Sequence, residues 1–488
     1  MKVLFVSPEV SPLVRTGGLG DVVGSLPLAL KKIGLDVRVI CPMHRECNNL
    51  AYRSLNKSFN LGSATKPYEG NLVETSLGES EVPVYLIKNS FLYDRPGIYS
   101  DENGNYEDNP ERVFALCRAA LKVEDITNWK PDVFHAHDWM AAPTCAFLNA
   151  KLQSRKQRPD QASVLTIHNL EHQGSGTYDH FKISGLPLDY WNLGFDRFGS
   201  LNLLKSGIQH ADKITTVSPT YSREIRQDGL GHGLEGSLQY RGADLLGILN
   251  GIDEKSWNPM KDSSLPALIN PEFPKEGKIS CKNSLLKEMN LVKTKKSPLF
   301  GIVSRLCKQK GLDLLLKIFP ILLRNSNAQF VLLGSGSEEQ EVCFMKLAQQ
   351  HPQRFAAFIG FNDRLARRIF AGSDFFLMPS RYEPCGLAQQ YAMRYGSIPI
   401  ARRTGGLADT IKDFNDSKPV GNGFLFDDPD PHQLLKVIHK ALEIFKNDDL
   451  FQKVRKNALS SPCSWENAAK QYAQVYNWSM EKNLNFKS

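Results

Sequence analysis

Short apolar runs, each followed by polar residues, recur along the first half of this chain. Wholly apolar runs of a few residues are typical of strands that are buried on both faces of a parallel sheet. After the first run, apolar side chains at helical spacing predict a helix that Asp21 caps and Gly34 ends. Strands are predicted at 3–6, 36–41, 132–134, 164–167, 214–217 and 246–249.

The second half repeats this alternation after an irregular stretch. Residues 258–298 hold several prolines and lysines, which predict a linker and an irregular entry to a second domain. A helix is predicted at 311–323. Residues at helical spacing from Trp465 to Tyr476 predict a C-terminal helix that packs back on the first domain. Further strands are predicted at 299–303, 330–333, 374–378, 398–401 and 423–426.

Strand–helix alternation in both halves predicts an α/β protein with two doubly wound, Rossmann-like domains. At 488 residues, the chain exceeds the size at which a single hydrophobic core stops growing. We expect an N-terminal domain of residues 1–257, with a helix of about 466–488 packed on it, and a C-terminal domain of residues 258–465. Ligands of such open sheets bind beyond the carboxyl ends of the strands.

Composition narrows the class of protein further. The formal net charge of +8 is spread along the chain. This pattern indicates no nucleic-acid arm or membrane tether, and it favours a phosphate-bearing substrate. The nine cysteines lie singly in apolar stretches, as reduced thiols do. No apolar run approaches transmembrane length, and the first run is too short for a signal peptide. We therefore expect a cytoplasmic protein with no nucleic-acid or membrane partner.

One heptapeptide occurs near each end of the chain, as RTGGLGD at 15–21 and as RTGGLAD at 403–409. Paired glycines let a backbone approach a ligand closely, and their N–H groups beside an arginine and a helix start favour an anion. Two such loops suggest two domains facing each other across an anionic ligand; the alternative is two turns without function. A dinucleotide site is disfavoured, because Val23 stands where G-x-G-x-x-G needs its last glycine.

Polar side chains follow two predicted strands of the first half. The segment HAHDW ends one strand with Asp138, and His168 and Asn169 follow another. Asp138 is a candidate active-site carboxylate, or alternatively the N-cap of the next helix. His168 is either functional or a satisfied structural group. The H-x-H spacing suggests a metal, but no third ligand accompanies it, so we predict no metal site.

Charged residues mark two strand exits in the second half. Arg305 and Lys310 lie just past a strand and before a helix. Two cations beside helix N–H groups can clamp a diphosphate. Glu383 stands at another strand exit, between Tyr382 and Pro384. A single acid in that position can face a sugar ring or a developing cation.

Taken together, these segments resemble bacterial glycogen synthase, the ADP-glucose-dependent starch synthase type of retaining glycosyltransferase. The resemblance covers essentially the whole chain, from Val3 to Tyr476. It rests on the combination of RTGGLGDV, HAHDW, TIHNLEHQG, ADKITTVSPTY, LNGIDEKSW, VSRLCKQKGLDL, PSRYEPCGL and RRTGGLADT. It implies the GT-B fold, in which two Rossmann-like domains face a deep cleft.

The resemblance also implies the roles of individual residues. Arg305 and Lys310 would hold the ADP phosphates, and Phe361 would stack on adenine. Catalytic roles are implied for Glu383, His168, Asp138, Arg305 and Lys310. Substrate contacts are implied for Arg15, Gly18, Asp21, Tyr93 (near the acceptor path), Asn169, Asn250, Phe361, Cys385, Gly386, Thr404 and Gly405.

Three positions depart from the family pattern. Arg15 replaces the usual lysine, which keeps the charge and changes reach and geometry. Phe361 replaces a usual tyrosine, which keeps the stacking surface and loses a hydroxyl. His172 stands where a tyrosine is common. These departures leave the nucleotide preference open.

The implied reaction transfers glucose from ADP-glucose to the non-reducing 4-OH of an α-1,4-glucan such as glycogen, with retention of configuration. No cofactor is expected, because cations already lie on the phosphates. Front-face attack, with the departing phosphate oxygen taking the acceptor proton, is expected; a covalent intermediate stays open. The alternatives are a UDP-glucose enzyme, an NAD enzyme, and an inactive glucan-binding module, which would be expected to have lost Glu383, Arg305 or Lys310.

Overall fold

The computed structural model describes residues 1–78, 80–154, 160–294, 297–415, 417 and 419–484. The chain forms two compact units. The N-terminal unit comprises Met1–Gly251 and Trp465–Ser488, and the C-terminal unit comprises Ile252–Ser464. The first division therefore follows Gly251 rather than residue 257, and Trp465 belongs to the N-terminal unit.

A sheet of nine strands, counted over the described residues, is the centre of the N-terminal unit. Its first seven strands are parallel. The six strands predicted in this half are present within three residues of their expected bounds, whereas the seventh parallel strand, Pro83–Lys88, was not predicted. In spatial order the strands are Leu245–Gly247, Lys213–Thr216, Ala162–Ile167, Val133–His137, Lys2–Val6, Asp36–Pro42, Pro83–Lys88, Glu69–Ser76 and Arg53–Asn60.

The last two strands at this edge are antiparallel and were not predicted from the sequence. Arg53–Asn60 is largely exposed, with Leu55 and Phe59 partly buried against the core. Such a half-solvated edge strand lacks the continuous apolar run that marks the central strands. Shorter antiparallel strands also occur. Ser200–Asn202 pairs with both Ser175–Gly176 and Asp196–Arg197, and Ser100–Asp101 pairs with Gly104–Asn105.

Helices cover both faces of this sheet. Gly34, at φ 93°, follows the first helix as expected. The C-terminal helix buries Tyr472 and Tyr476 in one cluster with Val3 and Phe5; the predicted residues 485–488 lie outside the described part. The α-helices are Gly18–Lys32, Ser90–Tyr93, Asn109–Thr127, Asp138–Ala141, Pro143–Ser154, Tyr178–Ser184, Leu188–Tyr190, Leu203–His210, Pro219–Glu224, Glu235–Tyr240 and Glu466–Leu484, with short 3-10 or π turns at Arg45–Cys47, Trp191–Phe195 and Gly242–Asp244.

The C-terminal unit is built on a parallel sheet of six strands within the described residues. The five strands predicted in this half are confirmed. A sixth, not predicted as a strand of its own, lies at one edge. In spatial order they are Phe355–Ile359, Gln329–Gly334, Leu299–Val303, Phe375–Met378, Ile398–Arg402 and Phe424–Phe426.

One helix of the C-terminal unit corrects the linker prediction for 258–298. Residues Pro274–Glu288 are helical, with the proline in the first turn, where its missing N–H is tolerated. The buried face includes Lys278, and this polar residue hides the apolar stripe in the sequence. The helices are Pro274–Glu288, Leu312–Asn325, Glu338–Gln350, Asp363–Gly372, Ala388–Arg394, Gly405–Thr410, Pro431–Lys446 and Asp448–Leu459, with a 3-10 turn at Lys308–Lys310. Within the described ranges, no helix is both long and apolar enough to cross a membrane.

Candidate functional site

The ends of two neighbouring parallel strands bring Asp138 and His168 together in the N-terminal unit. Val133–His137 and Ala162–Ile167 pair along their length and end at the same edge of the sheet. Asp138 follows the first of them in a left-handed backbone conformation, at φ 55°. Non-glycine residues rarely adopt this conformation, and it is enriched where a side chain must be aimed.

The Asp138 carboxylate holds the loop that carries His168. Its Oδ1 accepts hydrogen bonds from the backbone N–H of His168 at 2.7 Å and of Asn169 at 3.4 Å. These donors belong to another strand's exit and not to the helix that Asp138 begins. The N-cap alternative for Asp138 is therefore wrong.

Burial changes the ionisation of both side chains. It raises the pKa of the Asp138 carboxyl to about 7, with the Glu9 charge adding to the rise and the two N–H donors opposing it. It lowers the pKa of the His168 imidazole to about 3. At neutral pH, His168 is therefore an uncharged hydrogen-bonding group, while Asp138 lies near its titration point.

The two histidines of HAHDW are engaged in a buried cluster. The His135 Nε2 lies 2.6 Å from Thr166 Oγ1, and its Nδ1 lies 2.9 Å from the Tyr476 hydroxyl. The His137 Nδ1 lies 3.0 Å from His168 Nε2. In the described part of the chain, no group of three or more His, Cys, Asp and Glu side chains is arranged to hold a metal ion.

Glu9 anchors the first glycine loop, although it belongs to none of the motifs recognised in the sequence. Its buried carboxylate accepts hydrogen bonds from the backbone N–H of Thr16 at 2.6 Å and of Gly17 at 3.2 Å. The Thr16 and Tyr99 hydroxyls donate to the same carboxylate. The only signal in the sequence is a charged residue three positions after the first apolar run.

The same loop begins the helix Gly18–Lys32. Its N-cap is Gly17, and Asp21 lies in the first turn, so the prediction that Asp21 caps the helix is wrong. Asp21 instead pairs with Arg15, at 2.7 Å between Oδ1 and Nη1, and both side chains are partly exposed. Gly18 is exposed at the helix start. Arg15 and the start of the helix therefore lie at the surface of the unit, and a helix N-terminus favours an anion.

The three remaining residues of this unit that were predicted to contact substrate, Tyr93, Asn169 and Asn250, lie in different surroundings. Tyr93 is completely buried, and its hydroxyl donates to the Arg112 carbonyl at 2.9 Å. It is a core residue of this unit, and its place near the acceptor path stays a prediction. The Asn169 side chain accepts from the Glu171 N–H at 3.1 Å. Asn250 is buried at the end of the unit.

In the C-terminal unit, Lys310 and Glu383 form an ion pair. The Lys310 Nζ lies 2.6 Å from Glu383 Oε2, and only 17% and 7% of the two side chains are exposed. The Ser380 hydroxyl donates to the same carboxylate oxygen at 3.0 Å. A buried pair of this kind holds both groups in place, since removing either one leaves an uncompensated charge.

Gln309 connects the two charged loops. Its side-chain Oε1 accepts from Arg305 Nη2 at 3.0 Å, and its Nε2 donates to the Tyr382 carbonyl at 3.3 Å. Its backbone carbonyl accepts from the Arg381 N–H at 2.8 Å. The exposed Arg305 is thereby connected to the loop that precedes Glu383. Gln309 was not among the residues predicted from the sequence.

The second glycine loop packs directly on the Glu383 loop. Gly405 has φ 44°, and a Cβ there would lie 1.9 Å from the Glu383 carbonyl oxygen. The Gly406 N–H donates to that carbonyl at 3.0 Å. Thr404, almost fully buried, is the N-cap residue of the helix that follows. The repeat therefore has a different backbone here, because its counterpart Gly17 is extended at φ −162°.

The remaining predicted residues of this unit lie on two loops. Cys385 and Gly386 follow Glu383, and both of their carbonyls accept from the buried Gln389 amide, at 3.1 and 2.7 Å. Phe361 lies on a separate loop, just past the strand Phe355–Ile359, and 83% of it is exposed. An exposed ring at a strand exit offers a flat apolar surface to a ligand.

Two family descriptions match this chain. Residues 2–240 match the starch synthase catalytic domain, and residues 287–460 match glycosyl transferases group 1.

Relatives and solved structures agree with them. The chain is 40% identical over 483 residues to glycogen synthase 2 of Geobacter sulfurreducens, which covers 98% of both chains. It is 40% identical over 480 residues to glycogen synthase of Kosmotoga olearia, covering 98% of this chain and 97% of the relative. The catalytic domain of starch synthase IV from Arabidopsis thaliana, bound to ADP and acarbose, superposes with a TM-score of 0.88 at 32% identity, over 98% of this chain and 99% of that one.

Proposed function

We propose that this chain, which belongs to the glycogen and starch synthase family and has the GT-B fold, transfers glucose from ADP-glucose to an α-1,4-glucan. The observation that carries the proposal is the buried Lys310–Glu383 pair in the C-terminal unit, held against a glycine loop. A cation and an acid so placed suit a ligand that combines a phosphate with a sugar.

The diphosphate of the donor is assigned to the basic side of this site. Lys310 and Arg305 stabilise the negative charge that grows on the leaving ADP, which is the electrostatic work the reaction needs. Gln309 keeps Arg305 beside the Glu383 loop through its two side-chain hydrogen bonds. Because these cations lie where the charge develops, we propose that the reaction needs no metal cofactor.

The base and the sugar of the donor take neighbouring surfaces of the same unit. The exposed Phe361 ring stacks on adenine, and the loss of the usual tyrosine hydroxyl leaves that stacking intact. The donor glucose lies against Glu383 and the loop that continues through Cys385 and Gly386. The Glu383 carboxylate then lies near a sugar carbon that becomes cation-like in the transition state.

The N-terminal unit is assigned the remaining contacts. We assign Asp138 and the neutral His168 to the reacting sugar, and Arg15 with the start of its helix to the donor side. A departing phosphate oxygen takes the proton of the acceptor 4-OH as the new bond forms on the same face, so that configuration is retained. Nine free cysteines suit a reducing, cytoplasmic location.

The direct test measures ADP or UDP release from ADP-glucose and from UDP-glucose, each with and without glycogen. The proposal predicts glycogen-dependent release from ADP-glucose at a rate at least about tenfold above that from UDP-glucose, one decade of discrimination. Faster release of UDP from UDP-glucose would show that UDP-glucose, and not ADP-glucose, is the preferred donor. Glycogen binding without release from either donor would identify an inactive binding module.

A further inference from the structure

His137 forms a hydrogen bond with the histidine assigned to the reacting sugar. The two facing nitrogens, His137 Nδ1 and His168 Nε2, are 3.0 Å apart, and the ring centres are 5.3 Å apart. His137 is fully buried, whereas part of His168 is exposed. One of these nitrogens must donate the proton and the other must accept it.

Both rings are neutral in this environment. Burial lowers the pKa of His168 to about 3 and lowers the pKa of His137 well below its ordinary value, with the neighbouring histidines adding to the effect. Each imidazole therefore carries a single N–H. The position of the His137 proton then decides where the His168 proton lies.

The second nitrogen of His137 settles which arrangement is favoured. The buried His137 Nε2 has no hydrogen-bond partner among the described residues. A proton on Nε2 would be a buried N–H without an acceptor, and such orphaned donors are rarer in native proteins than unsatisfied acceptors. The proton of His137 therefore belongs on Nδ1, from which it is donated to His168 Nε2.

We propose that His137 is a positioning residue that fixes His168 in its Nδ1–H tautomer. With its Nε2 accepting from His137, His168 presents Nδ1–H as a neutral donor to a hydroxyl oxygen of the bound sugar. It cannot act there as a base. The identity of this ligand rests on the proposed function, whereas the tautomer is a property of the protein alone.

The surroundings of His137 make its orientation rigid. The Phe5 ring stacks on it at 4.9 Å between centres, and the His135 ring lies 4.1 Å away on centres. His135 is itself held between Thr166 and the Tyr476 hydroxyl of the C-terminal helix. A ring packed in this way keeps its Nδ1 aimed at His168, as positioning requires.

The tautomer can be read directly by NMR. The enzyme is labelled with ¹⁵N at histidine, and two-dimensional ¹H–¹⁵N spectra are recorded without substrate. These spectra correlate the carbon-bound protons of each imidazole with both of its ring nitrogens. The His168 pattern is identified as the one missing from His168→Gln. The proposal predicts Nδ1–H for His168 in the wild type; Nε2–H there would overturn it, even in a protein that transfers glucose from ADP-glucose.

Variants of His137 give an independent test. His137→Leu removes the donor, and His137→Asn, which matches leucine in shape, keeps an amide N–H at the position of Nδ1. We expect kcat/KM for ADP-glucose to fall at least about tenfold in the leucine variant and to stay within about threefold in the asparagine variant. Tyr476→Phe removes a neighbouring buried hydrogen bond and should lower the melting temperature without changing the His168 tautomer. Equal kcat/KM in the leucine and asparagine variants would contradict the proposal.

Discussion

The unusual ionisation of Asp138 makes it the residue whose effect on stability depends most clearly on pH. Its pKa is about 7 in the folded protein, against an ordinary value of 3.8. Between these values the folded state keeps a proton that the unfolded state has released. The contribution of Asp138 to stability therefore falls as pH rises toward 7, and it is constant above that.

Asp138→Asn removes this titration and keeps an oxygen to accept from the His168 N–H. The stability of the variant relative to wild type should rise by about 3 kcal/mol between pH 5 and pH 8, while glucosyl transfer is largely lost. Calorimetric melting at the two pH values measures the change. A stability difference between variant and wild type that is independent of pH would contradict the raised pKa. Full activity of the variant would show that the Asp138 carboxylate takes no part in the reaction.

The Lys310–Glu383 pair separates chemistry from stability. Glu383→Gln keeps hydrogen-bonding groups for Ser380 and Lys310 but removes the counter-charge of the partly buried Lys310 ammonium, so it should destabilise the protein by about 1–3 kcal/mol. Its activity should fall at least about a hundredfold.

Lys310→Met is the matched change on the other side of the pair. It leaves the buried Glu383 carboxylate without its cation and should destabilise the protein by about 3 kcal/mol. The double variant Lys310→Met/Glu383→Gln should recover most of that stability and none of the activity, as thermal melting and ADP release would show. A melting temperature for the double variant no higher than for Lys310→Met would mean that the pair is not the source of the loss.

Among the structural elements, the repeated heptapeptide shows that the same residues need not adopt the same backbone conformation. Gly17 is extended, with no atom within 4 Å of where its Cβ would lie, whereas Gly405 is left-handed and touches the Glu383 carbonyl. Gly17→Ala should change the melting free energy by at most about 1 kcal/mol, the size of a cap effect. Gly405→Ala should cost at least about 3 kcal/mol, because strain and a backbone clash combine. Equal melting temperatures for the two alanine variants would contradict this difference.

The sequence predicted most of the parallel strands because they are buried on both faces and read as apolar runs. It missed Pro83–Lys88, although residues 84–87 are an equally buried run. It could not predict the edge strand Arg53–Asn60, which is half solvated, or the helix Pro274–Glu288, whose buried face carries Lys278. Asp138 and His168 follow two predicted parallel strands, whose carboxyl ends lie at the same edge of the sheet. Neither the burial of Tyr93 nor the anchoring carboxylate of Glu9 has a local pattern, because both depend on contacts distant in sequence.

At the scale of the whole molecule, the N-terminal unit is discontinuous in sequence. Its core includes Tyr472 and Tyr476 from the last helix, both fully buried. A chain that ends at residue 464 should leave this apolar face uncovered and lose cooperative melting of the unit, because deleting one buried aromatic costs about 3–5 kcal/mol. Far-ultraviolet circular dichroism and calorimetry measure the loss. A truncated chain that melts like the full one would show that the helix contributes little to this core.

Retaining glucosyl transfer from ADP-glucose can be followed through the fate of a labelled anomeric carbon. The enzyme is incubated with ADP-[1-¹³C]glucose and maltotriose, and the product is examined by NMR. We expect a labelled anomeric signal of an α-1,4-linked terminal glucose, with the small H1–H2 coupling of the α configuration and one ADP released per residue added. A β-linked product, or label recovered only as free glucose or unreacted donor, would contradict it.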